Sequence, residues 1–235
     1  MSKGLHVNSE TGRLRRVIVH TPGPEVEAMS PSTAEEDLYN DIIPLDIVKE
    51  EHAELKGFLA SVTQVYELLD ILTDVLMAKE DRALFAQLLC DHYGCHHRQD
   101  ELATMEARSL AEVAIRGLPA RHVRLENCFR GKRFDLPPLP NMYFMRDAAA
   151  VYRDKSIASA MRFAVRRPEA LIHRFIFERH PDFKGSGRLF DGPSIAADGF
   201  SLEGGDFQVI AKNTLAIGVS ERTSAQAVDA IARSI

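Results

Sequence analysis

The hydrophobic pattern of this chain changes period several times, and each change marks an element. Leu14 to His20 (LRRVIVH) alternates and is rich in β-branched residues, and Thr21-Pro22-Gly23 breaks it, so it predicts a strand entering a loop. From Asp46, an expected N-cap, the apolar positions Ile47, Val48, Leu55, Phe58 and Leu59 fall near helical spacing with charges between them, as far as Ser61. Val62 to Leu68 (VTQVYEL) then predicts a strand, which makes residues 1–69 a first β, loop, α, β module. From about Asp70 the texture turns helical. Ile71 to Met77, Ala83 to Cys90 and Glu101 to Ile115 are rich in Ala, Leu and charge, and residues 70–128 read as a helical insertion.

Residues 129–235 return to strand signals. Arg130 to Pro140 (RGKRFDLPPLP) reads as an ordered connection, because proline restricts both itself and its predecessor. Met142 to Met145 and Ala148 to Arg153 predict two strands with Arg146-Asp147 between them, and Met161 to Arg174 predicts a helix turning into strand. Lys184 to Gly199 is a loop rich in Gly and Asp. A hairpin follows, Phe207 to Ile210 and Thr214 to Val219 around Lys212-Asn213, and a last helix starts near Thr223 or Ser224 and runs through Ala230. The theme of hairpin and helix recurs, each time with an acid at a strand edge. The fold class is α/β.

Composition narrows the function. With 235 residues, 45% hydrophobic and 27% charged, the chain suits a globular protein with a substantial core. A net charge of −5 and a pI near 6.0 supply no broad basic field, which argues against nucleic acid and for a small metabolite. The apolar runs are too short to span a bilayer and the N-terminus lacks a secretory pattern, so the expectation is a cytoplasmic protein that does not enter the membrane. The three cysteines, Cys90, Cys95 and Cys128, do not form a disulfide framework and fit a reducing compartment.

The candidate chemistry lies in Asn141-Met142-Tyr143-Phe144-Met145-Arg146-Asp147 and in Leu202-Glu203-Gly204-Gly205-Asp206. Two carboxylates at strand ends suit a guanidinium, whose parallel N–H donors match the acceptor oxygens. Taken singly, each acid has a simpler reading: Asp147 as a turn residue paired with Arg146, Glu203 as the start of a hairpin. Jointly, with arginines at a repeated spacing of nineteen residues, Arg166 after Asp147 and Arg222 after Glu203, they favour a ligand pocket.

These segments resemble the arginine deiminases. NMYFMRD is similar to the family pattern N-x-x-F-T-R-D, LEGGD and GVSERTS to L-E-G-G-D and G-x-x-E-R-T-S, and RRVIVHTPG, LYNDI and RRPEALIHRFIFERHPDF to further segments, collinear over nearly the whole chain. The resemblance implies a pentein fold, five ββαβ-like modules in an α/β propeller with a helical insertion after the first. This chain would cover about three modules. It also implies hydrolysis of L-arginine to L-citrulline and ammonia through a covalent Cys-thiouronium intermediate, with no cofactor and no metal. On that pattern Asp147 and Glu203 hold the guanidinium as catalytic acids, Asn141 and Phe144 line the pocket, Arg166 and Arg222 clamp the α-carboxylate, and Leu38 of LYNDI is a loop residue near the substrate. Arg167 rivals Arg166, and spacing alone separates them. Agmatine, which lacks the carboxylate, is expected to be a poor ligand.

The chain departs from the pattern at Met145, where the family has Thr, and at Ala148-Ala149, where it has Pro-Phe. No cysteine or histidine follows Glu203, so the family's H-x-D motif and nucleophilic Cys have no counterpart in these residues; His180-Pro181-Asp182 has the spelling but precedes LEGGD. Cys90, Cys95 and Cys128 read better as small buried hydrophobes than as nucleophiles. Three alternatives stand at this point. The first is the N-terminal part of an arginine deiminase, inactive alone and completed by a complementary C-terminal chain or segment. The second is a non-catalytic pentein that binds arginine or a partner. The third is a zinc-bearing interaction module using Cys90, His92, Cys95 and His96. Open sheet edges in a partial propeller lead us to expect self-association or docking with the complementary chain.

Overall fold

The computed structural model of the chain describes residues 4–29, 34–121, 133–195 and 199–235. It is a mixed α/β structure whose described strands form four small sheets, none of them closed. Contacts gather it into two compact units, Val17–Tyr143 and Met1–Arg16 with Phe144–Ile235. These cuts fall at 16/17 and 143/144, whereas the pattern reading cut at 69/70 and 128/129.

In the unit of residues 17–143, β1 (Arg16–Val19) pairs with β2 (Gln64–Glu67). Between them come α1 (Pro24–Glu27) and α2 (Leu45–Val62). Pro44, not Asp46, holds the N-cap position of α2, because its fixed φ of −62° suits the residue that leads into a helix. Asp46 sits in the first turn, where its charge meets the positive end of the helix dipole. The strand expected over Val62 to Leu68 is shorter. At Leu68 the chain turns into α3 (Leu68–Leu76), whose Leu68, Leu72 and Leu76 recur every four residues and are fully buried.

Helix α4 (Lys79–Tyr93) ends at Gly94, which adopts φ 65°, a conformation glycine takes without steric cost. A 3₁₀ turn (His96–Arg98), α5 (Gln99–Thr104) and α6 (Ala107–Arg116) complete the helical group. Phe85, Leu89, Leu102, Leu110 and Ile115 are buried within this unit. The short strand β3 (Leu118–Pro119) pairs with β4 (Phe134–Leu136). Cys128 and the start of the expected connection at 130–132 lie outside the described residues.

The other unit opens with a correction. Residues 142–145 do not form a strand: a turn over residues 140–143 leads into the short helix α7 (Met145–Ala148), which carries Arg146 and Asp147, and only then does β5 (Ala149–Tyr152) begin. A run of four apolar residues cannot by itself separate a strand from a packed turn. β5 and β6 (Lys155–Ala158) form an antiparallel hairpin, and β6 pairs in parallel with β7 (Gly187–Asp191) after the crossover helix α8 (Arg167–Arg179). Here too the pattern misled. Residues 161–174 do not turn into strand; Pro168 in the first turn starts a helix that runs on to Arg179. The one-turn α9 (Gly192–Ile195) follows β7.

β8 (Phe207–Ala211) and β9 (Thr214–Ile217) make the expected second hairpin. Helix α10 (Ala225–Ser234) is capped by Ser224, whose hydroxyl accepts from the Ala227 amide. Ile157, Phe190, Leu202, Phe207, Val209 and Ile231 form the core, so the strands carrying the acid loops and α10 share one apolar centre. Among the described residues no helix is long and apolar enough to cross a membrane.

Candidate functional site

The acid loops meet in the unit of residues 1–16 and 144–235. Asp147 ends the first turn of α7, and its carbonyl accepts from Ser159 Oγ at 2.6 Å, which ties the turn to the end of β6. Glu203 precedes a 3₁₀ turn (Gly204–Asp206), and its amide donates to the buried Thr223 hydroxyl at 3.1 Å. Gly204 packs directly against the Arg146 carbonyl oxygen, a space that any side chain would fill. A Cβ at Gly205 would stand 3.0 Å from Asp147 Oδ1, so the two loops touch.

Arg166 joins Asp147 to a third acid, Glu169. It is buried, its Nη1 donates to Asp147 Oδ2 at 2.7 Å, and its Nε and Nη2 fork onto Glu169 at 2.8–3.1 Å. Its guanidinium also lies 5.9 Å from the centre of the half-exposed Phe144 ring. Glu203 Oε1 accepts from the Arg162 amide and Oε2 from Arg222 Nη1, both at 3.1 Å, and Arg222 stacks over Phe163 at 4.6 Å. In this structure, therefore, both arginines rest on the acids rather than at a separate end of a pocket. Arg167, the rival by spacing, takes no part in these ion pairs.

The electrostatics follow from burial and crowding. Burial pushes the Glu203 carboxyl up, and the Arg162 amide, Arg222 and Arg166 pull it part of the way back. Glu169 is driven up to about 7 by burial; Arg166 draws it down, while the nearby charges of Asp147 and Glu203 push it up. Burial works against the Arg166 cation, but Glu169 and Asp147 outweigh it and hold the group charged. Three acids thus share two arginines.

Glu169 is the residue that sequence reasoning missed. It stands three residues after Arg166, at the start of a helix, where an acid is unremarkable, and only a pairing rule for positions i and i+3 marks it.

Leu38 and Asn141 belong to the other unit. Asn141 is buried and its Nδ2 donates to the Asp37 carbonyl at 2.8 Å, so these two sequence candidates lie in one neighbourhood there. Leu38 has φ 68°, a left-handed conformation that costs a branched side chain energy and recurs at ligand-facing loops.

The zinc alternative gains no support. Among the described residues no three His, Cys, Asp or Glu side chains converge as a metal requires. His96 faces Asp91 at 3.7 Å and His97 faces the buried Asp135 at 3.2 Å. Cys90 and Cys95 are buried with their sulfurs 3.7 Å apart, and burial, with Cys95 beside it, pushes the Cys90 thiol up to about 12. That is the setting of an inert thiol.

Comparison with known proteins adds an independent line. The family model described as arginine deiminase matches residues 36–235. An arginine deiminase of Metamycoplasma arthritidis is 31% identical over 247 residues, covering 99% of this chain and 58% of its own length. Those of Lactococcus lactis subsp. lactis and Listeria monocytogenes serotype 4a are 30% and 32% identical over 251 and 249 residues, covering 100% of this chain and 60% of their own lengths. The chain thus spans about 60% of the length of the curated relatives it matches.

Proposed function

Since the chain belongs to the arginine deiminase family, we propose that Asp147, Glu203, Arg166 and Arg222 are the substrate-gripping part of a site that hydrolyses L-arginine to L-citrulline and ammonia. The observation that carries this reading is that Asp147 and Glu203, far apart in sequence, each already accept a guanidinium within one cluster. A carboxylate placed to take an arginine side chain is placed to take the same group of a free arginine.

In the proposed reaction the guanidinium of L-arginine lies on Asp147 and Glu203. The arginine side chains there now turn to the α-carboxylate, with Phe144 bordering the ligand. The acids orient the guanidinium carbon and stabilise its charge while a cysteine thiolate adds, ammonia leaves, and water hydrolyses the thiouronium. No cysteine or histidine follows Glu203 in residues 1–235, so the nucleophile and the H-x-D pair are proposed to come from further polypeptide, in the same chain or another. On the same reading β5, β6, α8 and β7 form one ββαβ propeller module and β8, β9 and α10 the start of the next, in a cytoplasmic protein.

The acid–arginine pairing also favours a second reading, a non-catalytic pentein whose site is closed by its own side chains. Calorimetric titration separates the two. Residues 1–235 are expected to bind L-arginine at least about tenfold more tightly than agmatine, to lose that binding in Glu203→Gln, and to release no citrulline. Equal binding of agmatine would remove the carboxylate clamp from the proposal, and absence of any arginine heat would leave the closed pentein. Citrulline release abolished by Asp147→Ala would reveal a nucleophile within these residues.

A further inference from the structure

The side chain next to Asp147 makes a second set of contacts that the grip on arginine does not use. The hydrogen bonds of the Arg146 guanidinium go to Glu10 and to two backbone carbonyls rather than to Asp147 or Glu203. Its Nε donates to the Gly204 carbonyl at 3.0 Å and its Nη2 to the Phe207 carbonyl at 2.6 Å, so one guanidinium spans the turn that follows Glu203. The same group forks onto Glu10, with Nη2 to Oε1 at 2.6 Å and Nη1 to Oε2 at 3.3 Å. Glu10 is itself bound into β8: its amide donates to the Val209 carbonyl at 2.9 Å and its Oε1 accepts from the Val209 amide at 3.0 Å. From the opposite side, Gly204 presses on the Arg146 carbonyl.

We propose that Arg146 and Glu10 form a clasp that fixes the separation of Asp147 and Glu203, which makes both of them positioning residues for the arginine grip; the proposal rests on that reading of the acids. The sequence argument is short. Asp147 follows Arg146 directly and Glu203 directly precedes Gly204, so each acid is one residue from a clasped group. Two neutral carbonyls and one carboxylate use four of the five N–H donors of the guanidinium, which leaves little freedom for the turn. A lysine keeps the charge but cannot bridge both carbonyls and the carboxylate in one plane. The N-terminal segment thereby belongs to the site without touching its ligand. Burial pushes Glu10 up, yet Arg146 and the Val209 amide bring it below its ordinary range, consistent with a carboxylate held in charged form.

The test reads the acid rather than the fold. The Glu203 carboxyl carbon is followed by NMR across the pH range in wild type, Arg146→Lys and Glu10→Gln, with urea denaturation on each. Ile231→Val, a core change in the same unit, serves as the control. A loosened turn exposes Glu203, so its midpoint is expected to fall by at least ~0.5 pH unit in Arg146→Lys and in the same direction, by less, in Glu10→Gln, and to stay put in Ile231→Val. Loss of stability with an unmoved Glu203 midpoint in both clasp variants would overturn the proposal and leave a brace for the fold. If Arg146→Lys does not fold, Glu10→Gln decides alone. The midpoint is read without arginine, so a clasp that holds while arginine fails to bind would sink the grip, and the reverse would sink only the clasp.

Discussion

Each unit of this protein sets an acid beside a cation, half-buried Glu67 in one and fully buried Glu169 in the other, and the two acids behave in opposite ways. In the unit of residues 17–143, Glu67 accepts from the Thr21 amide at 2.9 Å, the Thr21 hydroxyl at 2.7 Å and Lys56 Nζ at 2.6 Å, and His20 Nδ1 lies 3.6 Å away. Burial would raise it, but His20, Lys56 and Thr21 together take it down to about 2. In the other unit Glu169 must share Arg166 with Asp147, close to Glu203, and stands at about 7. In the first cluster three donors within 2.9 Å satisfy the acid, and His20 lies between it and Glu25. The second has more acid than its donors can satisfy, and that surplus is what an incoming cation would relieve. On the proposed reading it is the balance of the pairing, not pairing alone, that distinguishes the arginine grip.

The strongest way to break the comparison is to remove Arg166. Arg166→Ala leaves Glu169, Asp147 and Glu203 without their central cation and is expected to cost about 3–5 kcal/mol at pH 8. At pH 5 Glu169, with its raised pKa, already holds a proton, so the cost shrinks there. Urea denaturation at the two pH values measures it. An equal cost at both would mean that the cluster carries no surplus negative charge.

Glu67→Gln is expected to cost less, about 2 kcal/mol, and to keep that cost to a lower pH. A depressed acid gives stability that is fully present above its unfolded pKa, near 4.5, and is lost as pH falls toward 2. Both variants therefore approach wild type as pH falls, but Glu67→Gln only below about pH 4.5 and Arg166→Ala already between pH 8 and pH 5. Thermal melts between pH 3 and pH 7 check this. A cost in Glu67→Gln that grows on acidification would remove the contrast.

Much of this architecture could be read from the residues, and the reasons for the misses are physical. The alternation before Thr21, the leucines of α3 and the hairpin of β8 and β9 each follow one periodicity set by one buried face. The start of α10 was legible near Thr223 or Ser224 because a hydroxyl before an apolar period has few other uses, and Ser224 proves to be its cap. The stretch from Asn141 to Ala148 was not, since its apolar residues pack a turn and a single helical turn, neither of which has a period long enough to detect. In the site, the acids and their spacing to Arg166 and Arg222 could be read, but not the pairing itself. Which cation a carboxylate chooses depends on Glu169, three residues from Arg166, and on Phe144 and Phe163, whose contacts with Arg166 and Arg222 cross the fold.

The smallest expected effect is the most specific test of saturation. Lys56 offers the shortest contact to Glu67, and a reading by distance alone would make it the main support of that acid. Its side chain is 37% exposed, however, so water screens the pair and already solvates the ammonium. Lys56→Met is therefore expected to cost only about 0.5 kcal/mol in urea denaturation at pH 7. Thr21 and His20 remain to hold the carboxylate, and Glu67 should still titrate well below an ordinary glutamate. The methionine keeps the length of the stem, so lost packing does not inflate the result. A loss as large as that of Glu67→Gln would show that one cation, not the set of donors together, sustains this cluster, and the distinction between the two acids would then rest on exposure alone.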